Sequence, residues 1–258
     1  MNSTLPKLKN APVVLIIGQV RFSPILAIES SVPKIQAELR KKGFPKYDKV
    51  AQQSFGVRAD GGAISPSTEY SWRFTDRDDR QSVVMATNAV TLQSALNQTA
   101  EEFDQCLFDV VSILYKVVEP DLIQRIGLRY INVIQPNGKA LSDYVHEGLL
   151  GVPLEQVGAT SSVWHLYSVN QTAAGVLIFQ ARYPISDVYL PPDVLMGPIL
   201  KLRPLQKCPS FVLDLDHFAE INAPFAMEPI EIAVQKFHSV LDRAFTLAVK
   251  ESALAEWR

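Results

Sequence analysis

"RIGLRYINVI", residues 125–134, alternates with a period of two and reads as a β-strand, yet it carries two arginines and a glycine that a plain core strand does not need. In extended chain Arg125, Gly127, Arg129 and Ile131 point one way, and Ile126, Leu128, Tyr130, Asn132 and Ile134 point the other. The strand also marks the middle of the chain. What lies before it and what lies after it follow a comparable order.

Directly upstream is the clearest helix. Thr99 and Glu102 form a capping box, Phe103, Leu107, Val110, Val111, Leu114 and Val118 fall on one face, and Pro120 closes the segment. Before it come a strand from Val13 to Phe22 and a helix with Ile28, Val32, Ile35 and Leu39 at helical spacing, stopped by Gly43. Pro33 fits that helix if it lies in the first turn, with Ser30 or Ser31 as cap. A strand over 50–57, a glycine- and serine-rich loop at 60–67, a hairpin of 69–76 and 81–88 around "RDDR", and a strand within 89–96 complete this half.

Downstream, "ALSDYVHEGLL" (140–150) reads as a short helix, followed by strands at 161–170 and 175–184 joined near "QTAAG". A proline-rich passage, 184–209, leads to the strand "SFVLDLDHF" at 210–218. The last element is a helix opened by "EPIE", with Ala233, Phe237, Val240, Leu241, Ala244, Ala248 and Trp257 on its apolar face. Unbroken from 228 to 256, it would be about 43 Å long at a rise of about 1.5 Å per residue. The element order predicts an α+β fold with antiparallel sheets, a long C-terminal helix and duplicated β-α-β(n)-α halves. The halves are 1–136 and 137–258, as two α+β domains or as one continuous domain.

At 258 residues the chain can bury a substantial core, and 47% hydrophobic with 20% charged residues is the composition of an ordinary globular protein. A net charge of -2 argues against a protein coated in nucleic acid. Cys106 and Cys208 have no metal-like spacing and imply no disulfide framework, so a reducing cytoplasm is the expected setting. The early apolar run "APVVLIIG" (11–18) is too short to span a bilayer, and Arg21 follows it, so no membrane segment is expected.

"VRFSPI", the "GFP" after the first helix, "WRFTD", the capped helix, "RIGLRYINVI" and "FVLDLDHF" together resemble a sporadically distributed, uncharacterised prokaryotic family of similar length. The likeness covers nearly the whole chain, with the "GLRYIN" strand its most specific element; "NQTAEEF" departs from it where an aromatic residue is expected. The resemblance implies a cytoplasmic protein linked to mobile or defence gene neighbourhoods. It implies no reaction and carries no catalytic residue across.

The candidate binding residues are Arg125, Arg129, Tyr130 and Asn132 on the central strand, Asp214 and Asp216 on "LDLDHF", and Trp72 with Arg73 on the hairpin. Two guanidiniums about 13 Å apart along a strand, with Gly127 between them, could embrace a phosphate-bearing ligand or two acidic groups of a partner. Asp214 and Asp216 share a face, with His217 opposite, and could hold a hard cation, act as an acid–base pair, or pair with the two arginines if the strands are neighbours. No third metal ligand is evident, and no HExxH, GxSxG, Walker or GxGxxG pattern occurs, so no metal and no cofactor is called.

Two functions remain open. The first is a non-enzymatic binding or regulatory module holding a protein partner (a second copy of the chain included) or a small ligand on a sheet face. The alternative is an enzyme or sensor for a phosphate-containing ligand such as a nucleotide, using Arg125, Arg129, Asp214 and Asp216. Single-stranded nucleic acid on the arginines and strand aromatics is a weaker third reading, which the acidic balance opposes. Geometry separates the first two: convergence on an open cleft favours the ligand site, and covered pairs oppose it.

Overall fold

The computed structural model of the chain describes residues 8, 10–56, 65–152, 154–158, 163–185, 190–195, 200–206 and 208–258. In chain order the elements are β1 (Val13–Phe22), α1 (Ile28–Lys41), β2 (Lys46–Gly56), β3 (Ser65–Thr75), β4 (Gln81–Ala86), β5 (Ala89–Ser94), α2 (Ala100–Val118) and β6 (Leu122–Ile134). They continue with β7 (Trp164–Thr172), β8 (Gly175–Ile185), the single turn α3 (Pro192–Leu195), β9 (Ser210–Pro224), α4 (Met227–Ala248) and α5 (Glu251–Trp257). The loop expected at 60–67 falls mostly outside the described residues.

The nine described strands join one antiparallel sheet in the order β2-β3-β4-β5-β1-β6-β9-β8-β7, so the fold is α+β. The central strand, β6, lies between β1 and β9. β5 lies beside β1, and β9 lies beside β6. The sheet runs without interruption across the boundary expected at 136.

Helices cover one face of this sheet. Phe22, Trp72, Phe74, Leu92, Ile126, Leu128, Leu213 and Leu215 project from the strands into a core with Leu39, Phe103, Leu107, Phe237 and Leu241 of the helices. Gly18 lets α2 approach β1, because a Cβ there would lie 2.8 Å from Leu107 and 3.2 Å from Phe103. Gly175 is required by the β7–β8 turn: its φ is +138° and a Cβ would sit 2.1 Å from the Phe218 carbonyl oxygen. The capping box of α2 is formed as expected, with Thr99 Oγ1 accepting from the Glu102 amide at 3.2 Å and the Glu102 carboxylate accepting from the Thr99 amide at 2.7 Å. Thr99→Ala is expected to lower stability by about 1 kcal/mol in urea unfolding, with Thr99→Asp losing much less.

Three expectations change. Helix α1 starts at Ile28 after Ala27, and the Ser30 hydroxyl donates to the Ala27 carbonyl at 2.8 Å instead of capping free amides. Pro33 therefore lies beyond the first turn, where its missing N–H removes an intrahelical bond. The segment 140–150 is two 3₁₀ turns, Leu141–Asp143 and Glu147–Leu149, and the final helix breaks into α4 and α5. One contact accounts for both interruptions. Val145 and Val249 pair as an isolated antiparallel bridge, with His146 N to Ala248 O at 3.0 Å and Lys250 N to Tyr144 O at 2.8 Å, so both backbones are extended there.

The proline-rich passage crosses the other face of the sheet. Val194 and Leu200 pack with Val14, Leu15, Ile131, Val133 and Val212, and Arg203 donates to the carbonyls of Ala11 (2.9 Å) and Pro12 (3.2 Å). Its described residues cover only part of that face. Among the described residues no helix is long and apolar enough to cross a membrane.

Candidate functional site

The antiparallel register sets rows of side chains across the uncovered part of the sheet. One row runs Ser82, Gln93, Ile17, Arg129, Asp216, Ile178, Val169 over strands β4, β5, β1, β6, β9, β8 and β7. The next row toward the passage contains Leu15, Ile131, Asp214, Gln180 and Tyr167. A cleft of about 380 Å³ opens at the centre, lined by Gln19, Thr91, Gln93, Arg125, Arg129, Asp193 and Asp216 among others. The two arginines share a side of β6 and the two aspartates a side of β9, and because these strands are neighbours all four lie on one face of the sheet.

Arg129 is held on two sides. Its Nε and Nη2 donate to the two carboxylate oxygens of Asp214, each at 2.7 Å, and its Nη1 donates to Asp193 on α3 at 2.5 Å. The Arg129 side chain is 13% exposed and that of Asp214 1%. Burial works against the charge on Arg129, but its hydrogen bonds to Asp214 and Asp193 outweigh it and raise its pKa. This is a planar fork matched to a carboxylate, with little donor capacity left for an incoming anion.

Arg125 is held more loosely. Its Nη1 donates to Gln19 Oε1 at 3.1 Å, its guanidinium carbon lies 4.1 Å from the centre of the Phe218 ring, and Asp216 and Glu220 are 4.0 and 3.9 Å away. Burial, partly offset by those two carboxylates, lowers its pKa. The space over Gly127, expected to admit an approaching group, faces Arg125 itself, whose Nη1 would be 3.5 Å from a Cβ there. Asp216 lies between the arginines, and burial raises its pKa against the pull of Arg129 and Arg125.

The remaining predicted residues lie elsewhere. Tyr130 and Asn132 point to the helix side, where they line a second cavity of about 330 Å³ with Leu215, Leu241, Phe245 and Glu101. There the Tyr130 hydroxyl is 3.0 Å from His238 Nδ1, and His238 Nε2 is 2.8 Å from Asp104 Oδ1. Both contacts are satisfied when Nε2 carries the hydrogen given to Asp104 and Nδ1 accepts from the phenol. Burial, with Asp104, Asp242 and Glu101 nearby, lifts the Tyr130 pKa well above the ordinary phenol range. The relay joins Tyr130, at the wall of that cavity, through His238 to Asp104 on α2.

Trp72 is a core residue, 2% exposed beneath α1, because it has the opposite parity to Arg73 on β3. Arg73 is on the open face but pairs with Asp48 of the edge strand β2 at 2.5 Å, in a hollow apart from the cleft. Of these two candidate binding residues, Trp72 is thus inside the core and Arg73 lies away from the arginine strand. No three His, Cys, Asp or Glu side chains among the described residues come together to hold a metal ion.

Asp193, Gln19 and Gln93 were not singled out from the sequence. Gln19 and Gln93 are ordinary polar positions on alternating strands, and Asp193 comes from a one-turn element within the proline-rich passage. No local pattern announces any of them. The relay partners Asp104 and His238 are 134 positions apart and equally silent. Comparison with models of known protein families and with curated proteins finds no match.

Proposed function

We propose that the protein is a non-enzymatic binding or regulatory module that holds a protein partner on the open face of its sheet. The observation that carries this is the pairing of a polar cleft with exposed apolar side chains on the same face. Tyr167 and Val169 of the edge strand β7 are 56% and 55% exposed. Val169 is in register with Ile178 and Asp216, two strands from the cleft, or about 10 Å at the usual strand spacing. An apolar patch beside desolvated charged groups is the composition of a protein-binding surface. β7 is an edge strand, and among the described residues no strand pairs with its outer side, which adds backbone hydrogen-bonding groups along the patch.

The phosphate-ligand alternative draws less support, because Arg129 is already held by two carboxylates and Arg125 faces two more. The setting we propose is the cytoplasm, in a system of the mobile or defence-linked kind that the resemblance implies. Both cysteines are free thiols, and burial pushes that of Cys106 up to about 11, which suits a structural thiol rather than a reactive one.

The test is native mass spectrometry of the protein purified gently from its own host, beside a Tyr167→Asp, Val169→Asp variant. Both positions are exposed, so the variant should fold normally. A stoichiometric protein companion on the wild type, absent from the variant, is expected. A companion retained by the variant would rule out this face, and a wild type with no protein companion would rule out the function.

A further inference from the structure

We infer that the central cleft is a socket for a protonated amine or guanidinium, the group that a lysine or arginine side chain of the partner would insert. This rests on the binding function proposed above and gives it a chemistry. It reverses the sign of the ligand that two arginines on a strand suggest.

The charges come first. Arg125 and Arg129 share the site with Asp193, Asp214, Asp216 and Glu220. Arg21, opposite Arg125 on β1, adds one further cation at the exposed rim, and the carboxylates still outnumber the cations. An anion entering here would meet that surplus, whereas a cation would be drawn in.

Hydrogen-bonding capacity points the same way. The donors of Arg129 are directed at Asp214 and Asp193, and Arg125 is turned onto Phe218 and Gln19. The acceptors are less satisfied. The nearest Arg125 nitrogen is 4.0 Å from Asp216, beyond hydrogen-bond range, although the Asp216 side chain is only 20% exposed. Gln93 is 7% exposed, lines the same cleft, and its Oε1 is buried with no hydrogen-bond partner. A buried amide oxygen without a donor is costly. Gln93, Ile17, Arg129 and Asp216 are consecutive in one row, so these acceptors flank Arg129 from both sides. A small planar or tetrahedral cation with several N–H groups can donate to acceptors of this kind, and the volume of about 380 Å³ admits it with its aliphatic stem.

The experiment uses the full-length protein and four probes of matched size: butylguanidinium, butylammonium, butyrate and inorganic phosphate. Calorimetric titration should show saturable binding of the two cations, with butyrate and phosphate silent. Asp216→Asn should weaken cation binding about tenfold, the loss of one charged hydrogen bond, and Gln93→Leu should weaken it without removing a charge. Both replacements are nearly isosteric, and thermal melts of the unliganded variants confirm that they fold. Phosphate or butyrate binding in preference to the cations would overturn the assignment, as would cation binding unaffected by both variants.

A competition arm separates this inference from the proposed function. If a protein companion is displaced by butylguanidinium, the cation comes from the partner's side chain. If no companion exists and the cations bind saturably, the socket stands and its occupant is a free amine or guanidine. A companion that remains bound at saturating butylguanidinium overturns the socket and leaves the binding module standing.

Discussion

Arg129→Ala is expected to destabilise the protein by about 3–5 kcal/mol, the usual consequence of removing one partner from a buried ion pair. The cause is Asp214, whose side chain is 1% exposed and would be left as an uncompensated charge within the sheet. The sequence alone suggests that an Arg125→Ala, Arg129→Ala double variant keeps its fold. The geometry reverses that expectation for Arg129 and leaves it for Arg125, which has no bidentate carboxylate partner. Arg129→Lys should also lose stability, because an ammonium cannot reproduce the two parallel bonds to Asp214. Replacing both members, Arg129→Leu with Asp214→Leu, should recover most of the loss. Urea unfolding of the two single variants and the double variant completes the cycle. A loss below about 1 kcal/mol for Arg129→Ala would put the pair among surface ion pairs and contradict the geometry.

Acidification should destabilise the protein through His217. This residue is fully buried, 4.5 Å from the Phe237 ring centre, with Nε2 2.9 Å from Thr172 Oγ1. Thr172 Oγ1 donates to the Gly175 carbonyl at 3.0 Å, so it accepts from His217, and the hydrogen is on Nε2. Nδ1 is buried with no partner, and a proton placed there would have nothing to bond. Burial accordingly lowers the pKa to about 4. In the unfolded chain it returns to about 6.5, so between these values the unfolded state binds the extra proton. The stability contribution is complete above about pH 6.5 and is lost as the pH falls toward about 4, by on the order of 3 kcal/mol. Unfolding free energies measured across this window for wild type and His217→Leu should diverge, the variant showing the shallower slope. Parallel curves would show that His217 is protonated in the native state.

Elements whose identity depends on near neighbours were legible in the sequence. The period of two in 125–134 and 210–218 correctly placed Arg125 and Arg129 on one face and Asp214 and Asp216 on a matching one, because extended backbone assigns faces by parity alone. Thr99 and Glu102 marked a helix start through bonds three residues apart. Tyr130 and Asn132 were also assigned the correct parity, but their neighbours on the helix side were not visible. Contacts between distant segments had no such signal. The bridge between Val145 and Val249 cuts one expected helix into turns and another in two, although each segment alone has helical spacing. Asp193 reaches Arg129 across 64 positions, and only the path of the proline-rich passage over the sheet brings it there.

The central place of β6 has a consequence for the order in which the chain is made. On a ribosome, β6 can pair with β1 soon after it emerges, since the first half is already complete. Its other edge, from Leu122 to Ile134, pairs with β9, whose residues 211–224 are synthesised much later. At usual elongation rates that edge, with Ile126, Leu128, Ile131 and Val133 along it, stays open for several seconds. An unpaired apolar strand is a template for association with other chains. The nascent protein should therefore be most vulnerable after the first half has folded, and slowing translation between 135 and 210 should reduce the yield of soluble product more than slowing it earlier.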